Sequence, residues 1–257
     1  MHGEIEATRT RARVVHRDSI AVRREGAAQV ALVGPPNAGK SSLLQALSRI
    51  QIKTGDYAFT TMRPVPALTR IGGVLIQLIE IPGLIAGAGE GRGEGRALLG
   101  VLRSADAIVL CQAANAAPDE LRTVRRELAV AGIELPSLLV VTKADDGDSR
   151  AAARAFPDLD AVPVSVLDDA SLDRFRDAVF GLTGLIRVFL RHDGAIDGDP
   201  VALSPPATVL DVARTIHHDL ERTCRGARLW GPSARFGGQR VGRDHPVADG
   251  DAVEIVS

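Results

Sequence analysis

The chain has 257 residues, 45% of them apolar and 25% charged, and a formal net charge of −1. That suits one large or two moderate globular domains, and leaves no overall basic field for nucleic acid and no apolar run of about 18 residues for a membrane span. Cys111 and Cys224 stand far apart without metal-type spacing, and no secretory signal is read, so a reducing cytoplasm is expected, with both cysteines as small core residues.

Residues 1–27 scatter Arg and Glu without an apolar stripe and read as a short helix or solvated arm. Next comes Val30-Ala-Leu-Val33, short and apolar enough for a buried parallel strand, and then Gly34-Pro-Pro-Asn-Ala-Gly39-Lys40-Ser41. That octapeptide fits G-x-x-x-x-G-K-[ST], in which successive backbone N–H groups wrap a nucleotide's phosphates. Gly34 and Gly39 clear side chains from the approach, Lys40 sets a compact charge toward the β- and γ-phosphates, and the Ser41 hydroxyl suits Mg²⁺. Ser41–Ser48 has leucines on one helical face, so a helix N-terminus adds further N–H groups to the anion site. The chain has only three lysines, Lys40, Lys53 and Lys143, and two of them fall in the nucleotide motifs.

Phe59-Thr60-Thr61, followed by Pro64 and Pro66, reads as an extended loop whose threonine could complete a Mg²⁺ shell when a γ-phosphate is present. Val74–Ile79 predicts a strand ending in Glu80-Ile-Pro82-Gly83, where a phosphate-loop enzyme places a metal-directed carboxylate. The glycines from Gly87 to Gly95 space a stretch suited to conformational change or to a plain loop. Ala105–Cys111 predicts a strand, Asp119–Ala131 an amphipathic helix, and Leu138–Val141 a strand closing on Thr142-Lys143-Ala-Asp145. The Asp145 carboxylate can accept from guanine N1–H and its exocyclic amine, donors that adenine lacks. Lys143 can lie along the base, and Thr142 stands where Asn is usual. Val162–Leu167 predicts the last strand, with Ser165 and Val166 offering backbone N–H to the base. Strands alternating with helices make an α/β fold, and each candidate lies at a strand's carboxyl end.

This order of motifs resembles the Obg and developmentally regulated GTP-binding (DRG) proteins. Gly34–Ser41, Phe59–Thr61, Glu80–Gly87, Gly91–Arg96, Ser104–Asp106 and Thr142–Asp145 carry the likeness. Beyond the sheet, Arg187–Leu190, Thr208–Asp211, Ile216–Leu220, Leu229–Ser233, Gln239–Gly242 and Asp244–Val256 look like a TGS domain. The resemblance implies a P-loop NTPase with a Ras-like G domain, a mostly parallel sheet with helices on both faces, over 28–184. A small β-grasp TGS domain is expected over 185–257, behind an N-terminal arm over 1–27.

It further implies binding of GTP or GDP by Gly34, Pro35, Pro36, Asn37, Ala38, Gly39, Lys40, Ser41 and Ser42, with Phe59, Thr60 and Thr61. Glu80, Pro82, Gly83, Thr142, Lys143, Asp145, Ser165 and Val166 complete that set. Mg²⁺ would meet Ser41 and Thr61, with Glu80 behind them. Lys40, Thr61 and Asn37 would act in catalysis, Asn37 as a candidate K⁺ ligand, and no general base is assigned. Three departures stand out: Glu80 replaces Asp, Thr142 replaces Asn, and Gly132–Pro136 runs straight into the next strand where the family carries an insert. The family's N-terminal helical region is also much shortened. Leu84 occupies the place where Ras-type enzymes use Gln to orient water, so slow hydrolysis is expected, linked to ribosome or RNA through the TGS module. The alternative is a non-hydrolysing GDP/GTP sensor or interaction module. Neither a membrane partner nor an oligomeric state is read from the sequence. His217 and His218 are expected as surface or capping residues, and Trp230 in the small module's core.

Overall fold

The computed structural model describes residues 22–48, 63–82 and 94–257. The strand before the glycine loop forms as β1 (Ala28–Val33), with every residue buried. Its side chains enter two cores in alternation: Ala28, Val30 and Leu32 join one, Ala31 and Val33 the other. A strand covered on both faces has no side for water, which is why Val30–Val33 reads as an apolar run; the buried Gln29 before it donates to Gln77 Oε1 at 2.8 Å. Leu32 has no exposed surface, and its truncation to alanine is expected to cost about 2–5 kcal/mol.

Among the described residues the first sheet has the order β2-β3-β1-β4-β5-β6, from β2 (Val65–Ile71), β3 (Val74–Glu80), β4 (Ala107–Ala113), β5 (Ser137–Thr142) and β6 (Ala161–Pro163). β2 runs antiparallel to β3 and the other pairs are parallel. The chain passes from β3 on one side of β1 to β4 on the other. The loops at their carboxyl ends therefore diverge and leave a crevice. Helices α1 (Lys40–Leu47) and α5 (Asp169–Thr183) cover one face through Leu43, Leu44, Leu172, Phe175 and Val179. α2 (Glu94–Ser104) and α3 (Asp119–Val130) cover the other, joined by Phe156 after α4 (Ser149–Arg154). In α3 the expected stripe Leu121, Val124, Leu128 is buried. The short link 131–136 carries α3 straight to β5.

The last strand of this sheet is shorter than expected. β6 stops at Pro163, and one more ladder bond follows, from Val164 N–H to the Val141 carbonyl at 2.8 Å; the Pro163 nitrogen faces the open edge of the sheet, where a missing hydrogen is tolerated. The chain then turns, because Asp168 accepts from Ala170 N–H at 3.0 Å and starts α5.

A second sheet follows, built from β7 (Ile186–His192), β8 (Ala195–Ile196), β9 (Val201–Leu203), β11 (Gly226–Trp230), β12 (Gln239–Gly242) and β14 (Asp251–Val256), in the order β12-β11-β14-β7-β8 with β9 beside β7. β10 (Ala207–Thr208) pairs with β13 (Pro246–Val247), and α6 (Val209–Ile216) and α7 (His218–Thr223) lie between β10 and β11. Thr208 and Asp211 form a reciprocal capping box at the start of α6. Val188, Val209, Val212, Ala227, Leu229 and Val253 make a separate core with buried Cys224. Because Ala227 and Leu229 point inward, the pleat turns Arg228 and Trp230 to the other face. Trp230 is therefore half-buried and not in the core, with the Arg191 guanidinium 4.4 Å from its ring centroid.

The two modules touch at the β2–β3 turn. Arg70 pairs with Asp199, and a Cβ on Gly73 would lie 2.5 Å from Pro200. Arg187 lies over the Phe180 ring of α5 at 4.5 Å and meets Asp249 at 2.7 Å.

Candidate functional site

The crevice at the carboxyl ends of β1, β3 and β5 gathers most of the described candidates. Gly34 leaves β1 so close to β4 that a Cβ there would lie 2.4 Å from the Cys111 carbonyl oxygen. Asn37 at φ 60 and Gly39 at φ 78 turn the loop over, and Gly39 caps α1 without a side-chain bond. The amides of the first helical turn therefore keep no intrahelical acceptor, an arrangement that favours an anion. Pro35 and Ala38 are buried, whereas Pro36, Asn37 and Ser42 face solvent. The Asn37 side chain makes no hydrogen bond with the described residues.

Lys40 is 5% exposed, and its ammonium donates to the carbonyl oxygens of Gly34 at 3.0 Å and Pro35 at 2.8 Å. Burial lowers its pKa, opposed by the nearby Cys111 and Glu80. The buried Cys111 thiol is itself pushed up to about 12 by desolvation, so it stays neutral below the loop. Ser41 donates its hydroxyl to Glu80 Oε1 at 2.6 Å. The longer acid thus reaches the hydroxyl at the head of α1, and hydroxyl and carboxylate oxygens together suit a hard cation. Pro82 follows, half-buried, after buried Ile81.

Thr142 explains how a hydroxyl serves where an amide is usual. Its Oγ1 donates to the Ala38 carbonyl at 2.7 Å, tying the end of β5 to the glycine loop 104 positions earlier. Beyond it Lys143 takes φ 53 and is exposed, as is Asp145. A hydrogen bond from Ser165 holds the Asp145 carboxyl below its ordinary value, with a smaller contribution from its own backbone. Of the two amides expected to face a base, Ser165 N–H already donates to Ser171 Oγ at 3.1 Å. That corrects the backbone role expected of Ser165 and gives its hydroxyl the contact with Asp145; Val166, 45% exposed, keeps its amide open. Phe59, Thr60, Thr61, Gly83 and Leu84 lie outside the described residues.

Two participants were missed in the sequence. Ser171, 2% exposed, orients the Ser165 turn, and its only sequence signal is a hydroxyl near a helix start. Gln112 is fully buried at the end of β4, and its amide donates to the Ala116 carbonyl at 2.9 Å, shaping the loop after β4. Among the described residues, the one His, Cys, Asp or Glu cluster close enough to share a metal is His217, His218 and Asp219, exposed in the second module. His217 Nδ1 accepts from Asp219 N–H at 3.2 Å and so caps α7, as expected of a capping histidine.

Comparison with known proteins places these elements among relatives. The model described as 50S ribosome-binding GTPase matches residues 29–143, and the TGS domain model matches 186–257. An uncharacterized GTP-binding protein of Methanocaldococcus jannaschii is 30% identical, the match covering 92% of this chain and 80% of that protein. That alignment extends over 312 positions, more than this chain has, so the relative carries segments absent here. The developmentally-regulated GTP-binding protein 2 homolog of Dictyostelium discoideum is 27% identical over 93% of this chain and 85% of its own length. The structure of the Schizosaccharomyces pombe YchF GTPase shares the fold, with a TM-score of 0.61 over 91% of this chain and 99% of that one, at 13% identity. No helix among the described residues is long and apolar enough to cross a membrane.

Proposed function

The chain belongs to the Obg/DRG-type GTP-binding proteins with a separate TGS domain, and on that premise we propose that it binds GTP and hydrolyses it slowly as a switch linked to the ribosome. The observation that carries this reading is the joining of three distant motifs at one mouth. Ser41 reaches Glu80 at 2.6 Å, and Thr142 reaches Ala38 at 2.7 Å. In this reading the arm is 1–27, the nucleotide domain 28–184 and the TGS domain 185–257, and the protein acts in the cytoplasm.

Each residue's part follows from its chemistry. The backbone N–H groups from Asn37 to Ser42 donate to phosphate oxygens and the Lys40 ammonium neutralises them, exchanging its two carbonyl acceptors for them. Glu80 holds the Ser41 hydroxyl in place. Mg²⁺, if held by the Ser41 hydroxyl with Glu80 behind it, would supply charge neutralisation to the phosphates. Asp145, whose carboxyl Ser165 holds below its ordinary value, accepts from the guanine edge, Lys143 lies along the base, and Thr142 fixes their distance from the loop. Thr61 and Leu84 enter through the family resemblance alone; a leucine cannot orient the attacking water, hence the slow rate. The unengaged Asn37 amide supports K⁺ as a second cation.

The test is phosphate release with Mg²⁺ and either K⁺ or Na⁺, using GTP and ATP. Turnover of GTP alone, faster in K⁺, is the expected result. Equal use of ATP would sink the role given to Asp145, and equal rates in K⁺ and Na⁺ would remove Asn37 from the chemistry. Tight GTP binding without turnover would favour the non-hydrolysing sensor.

A further inference from the structure

We propose that the open face of the TGS sheet carries an RNA site: a groove of about 410 Å³ across β12, β11 and β14 in which Arg225, Arg228 and Arg240 hold the phosphodiester backbone. This rests on the ribosome-linked reading and gives it a surface.

By composition the second module balances its arginines with acids, so its sequence shows no basic patch. The fold separates them. Asp249 is held by Arg187, and Asp211 and Glu221 by Arg214. Asp199 is engaged by Arg70 of the first module, and Asp251 is buried against Ser233 and the Ala248 amide. What remains along the groove is three guanidinium groups against one carboxylate, Glu254, which stands 3.7 Å from Arg228. The Arg225 and Arg240 side chains have no partner among the described residues.

The register brings the charges together. Arg228 lies directly across from Arg240 on one side and from Glu254 on the other. Like charges in a cross-strand pair cost stability, so packing gives no reason for Arg228 beside Arg240. Beside this row Gly226 pairs with Gly242 on one side and with exposed Val256 on the other; a Cβ on Gly226 would meet the Val241 carbonyl of its own sheet, whereas Gly242 has open space above it, where backbone of another chain can approach. Adjacent strands hold the two arginines about 5 Å apart at their backbones, and each guanidinium fork suits bidentate phosphate contact.

The lining favours nucleic acid over an acidic peptide. Peptide partners are anchored by apolar or aromatic side chains in pockets. Here Val241 and Ile255 pack toward the module's own core, the ring of Trp230 is taken by Arg191, and Val256 is the exposed apolar side chain left beside three arginines.

The test uses the full chain and a short fluorescein-labelled oligouridylate, read by anisotropy from about 50 to about 200 mM KCl. Three phosphate contacts predict a slope of log K against log salt of about −2. The Arg225→Gln, Arg240→Gln double variant is expected to bind about tenfold more weakly or worse, with the slope reduced by about 1.4. Glu254→Gln, which releases Arg228, is expected to bind more tightly and more steeply, an outcome that general damage to the sheet does not produce. Oligouridylate affinity and slope unchanged in the double variant would overturn the proposal. So would oligoglutamate binding the parent chain as tightly as RNA. GTP affinity measured on the same samples separates the two readings: RNA binding lost with GTP binding intact concerns the groove alone, and absent GTP binding concerns the first module alone.

Discussion

The two sheets carry their polar chemistry in different places. The first puts it on loops at the carboxyl ends of parallel strands, where backbone amides and short side chains converge on one crevice. The second puts it on the outward face of a mixed sheet, where long arginines stand in a cross-strand row. A parallel sheet buried on both faces has only its ends for function, whereas a sheet with an open face can use its area. The first site should therefore depend on placement within a fraction of an ångström, and the second on charge and salt.

The sharpest way to break that contrast is Gly34→Ala. A methyl group 2.4 Å from the Cys111 carbonyl must displace either the glycine loop or β4. GTP affinity is expected to fall by about a hundredfold or more, since displacements of this size cost that much at a preorganised site. Equilibrium binding checks it, with oligouridylate binding by the second module as the control for folding. A fall of only a few-fold would mean that the loop adapts.

Thr142→Val is the next test. It removes the hydroxyl that bonds Ala38 and leaves a buried carbonyl without that donor, a loss of about 1–3 kcal/mol shared between stability and GTP affinity. Denaturant unfolding and nucleotide binding measure the two parts, and Thr142→Ser should restore most of both. A neutral valine variant would show that the loop and β5 are not coupled through this bond.

The smallest effect concerns pH in the second module. Hydrogen bonds from Thr208 hold Asp211 below its ordinary value, and the guanidinium of Arg187 does the same for Asp249. Their folded values lie under the unfolded ones, so both stabilise the fold above the ordinary Asp pKa of about 3.9. That contribution is lost as pH falls through the folded values. Trp230 is the only tryptophan, so its fluorescence reports this module. Its thermal midpoint should drop on acidification from pH 5, and Asp249→Asn should flatten the slope. The same slope in the variant would assign the acid sensitivity elsewhere.

The contrast also explains what could be read from residues alone. The glycine loop, the alternation of strands and helices, and the Lys143–Asp145 pair announce themselves because their chemistry lies in short contiguous stretches. The end of β6 did not, since an apolar run from Val162 to Leu167 hides the turn closed by Asp168 N–H on the Ser165 carbonyl and by the Asp168 cap. Nor did Thr142 as a bridge, or Ser171 behind Ser165, because each acts on a partner that only the folded chain brings near. Trp230 was misplaced because an aromatic residue in a strand looks like core until the register fixes which face it takes. The arginine row is the extreme case: of the acids that balance it in composition, Asp249, Asp211 and Asp251 are engaged elsewhere in space and only Glu254 lines the groove.

The central claim, that this crevice reads a guanine nucleotide through Asp145, is tested most directly by exchanging the donor pattern of both partners. Xanthine carries a carbonyl where guanine carries its exocyclic amine, so Asp145→Asn offers an amide N–H₂ to that oxygen in place of a carboxylate. The account predicts that the variant loses GTP affinity by about tenfold or more and gains xanthosine triphosphate affinity, measured by competition for one labelled nucleotide. A variant that binds GTP as tightly as the parent chain, with no gain for xanthosine triphosphate, would contradict it.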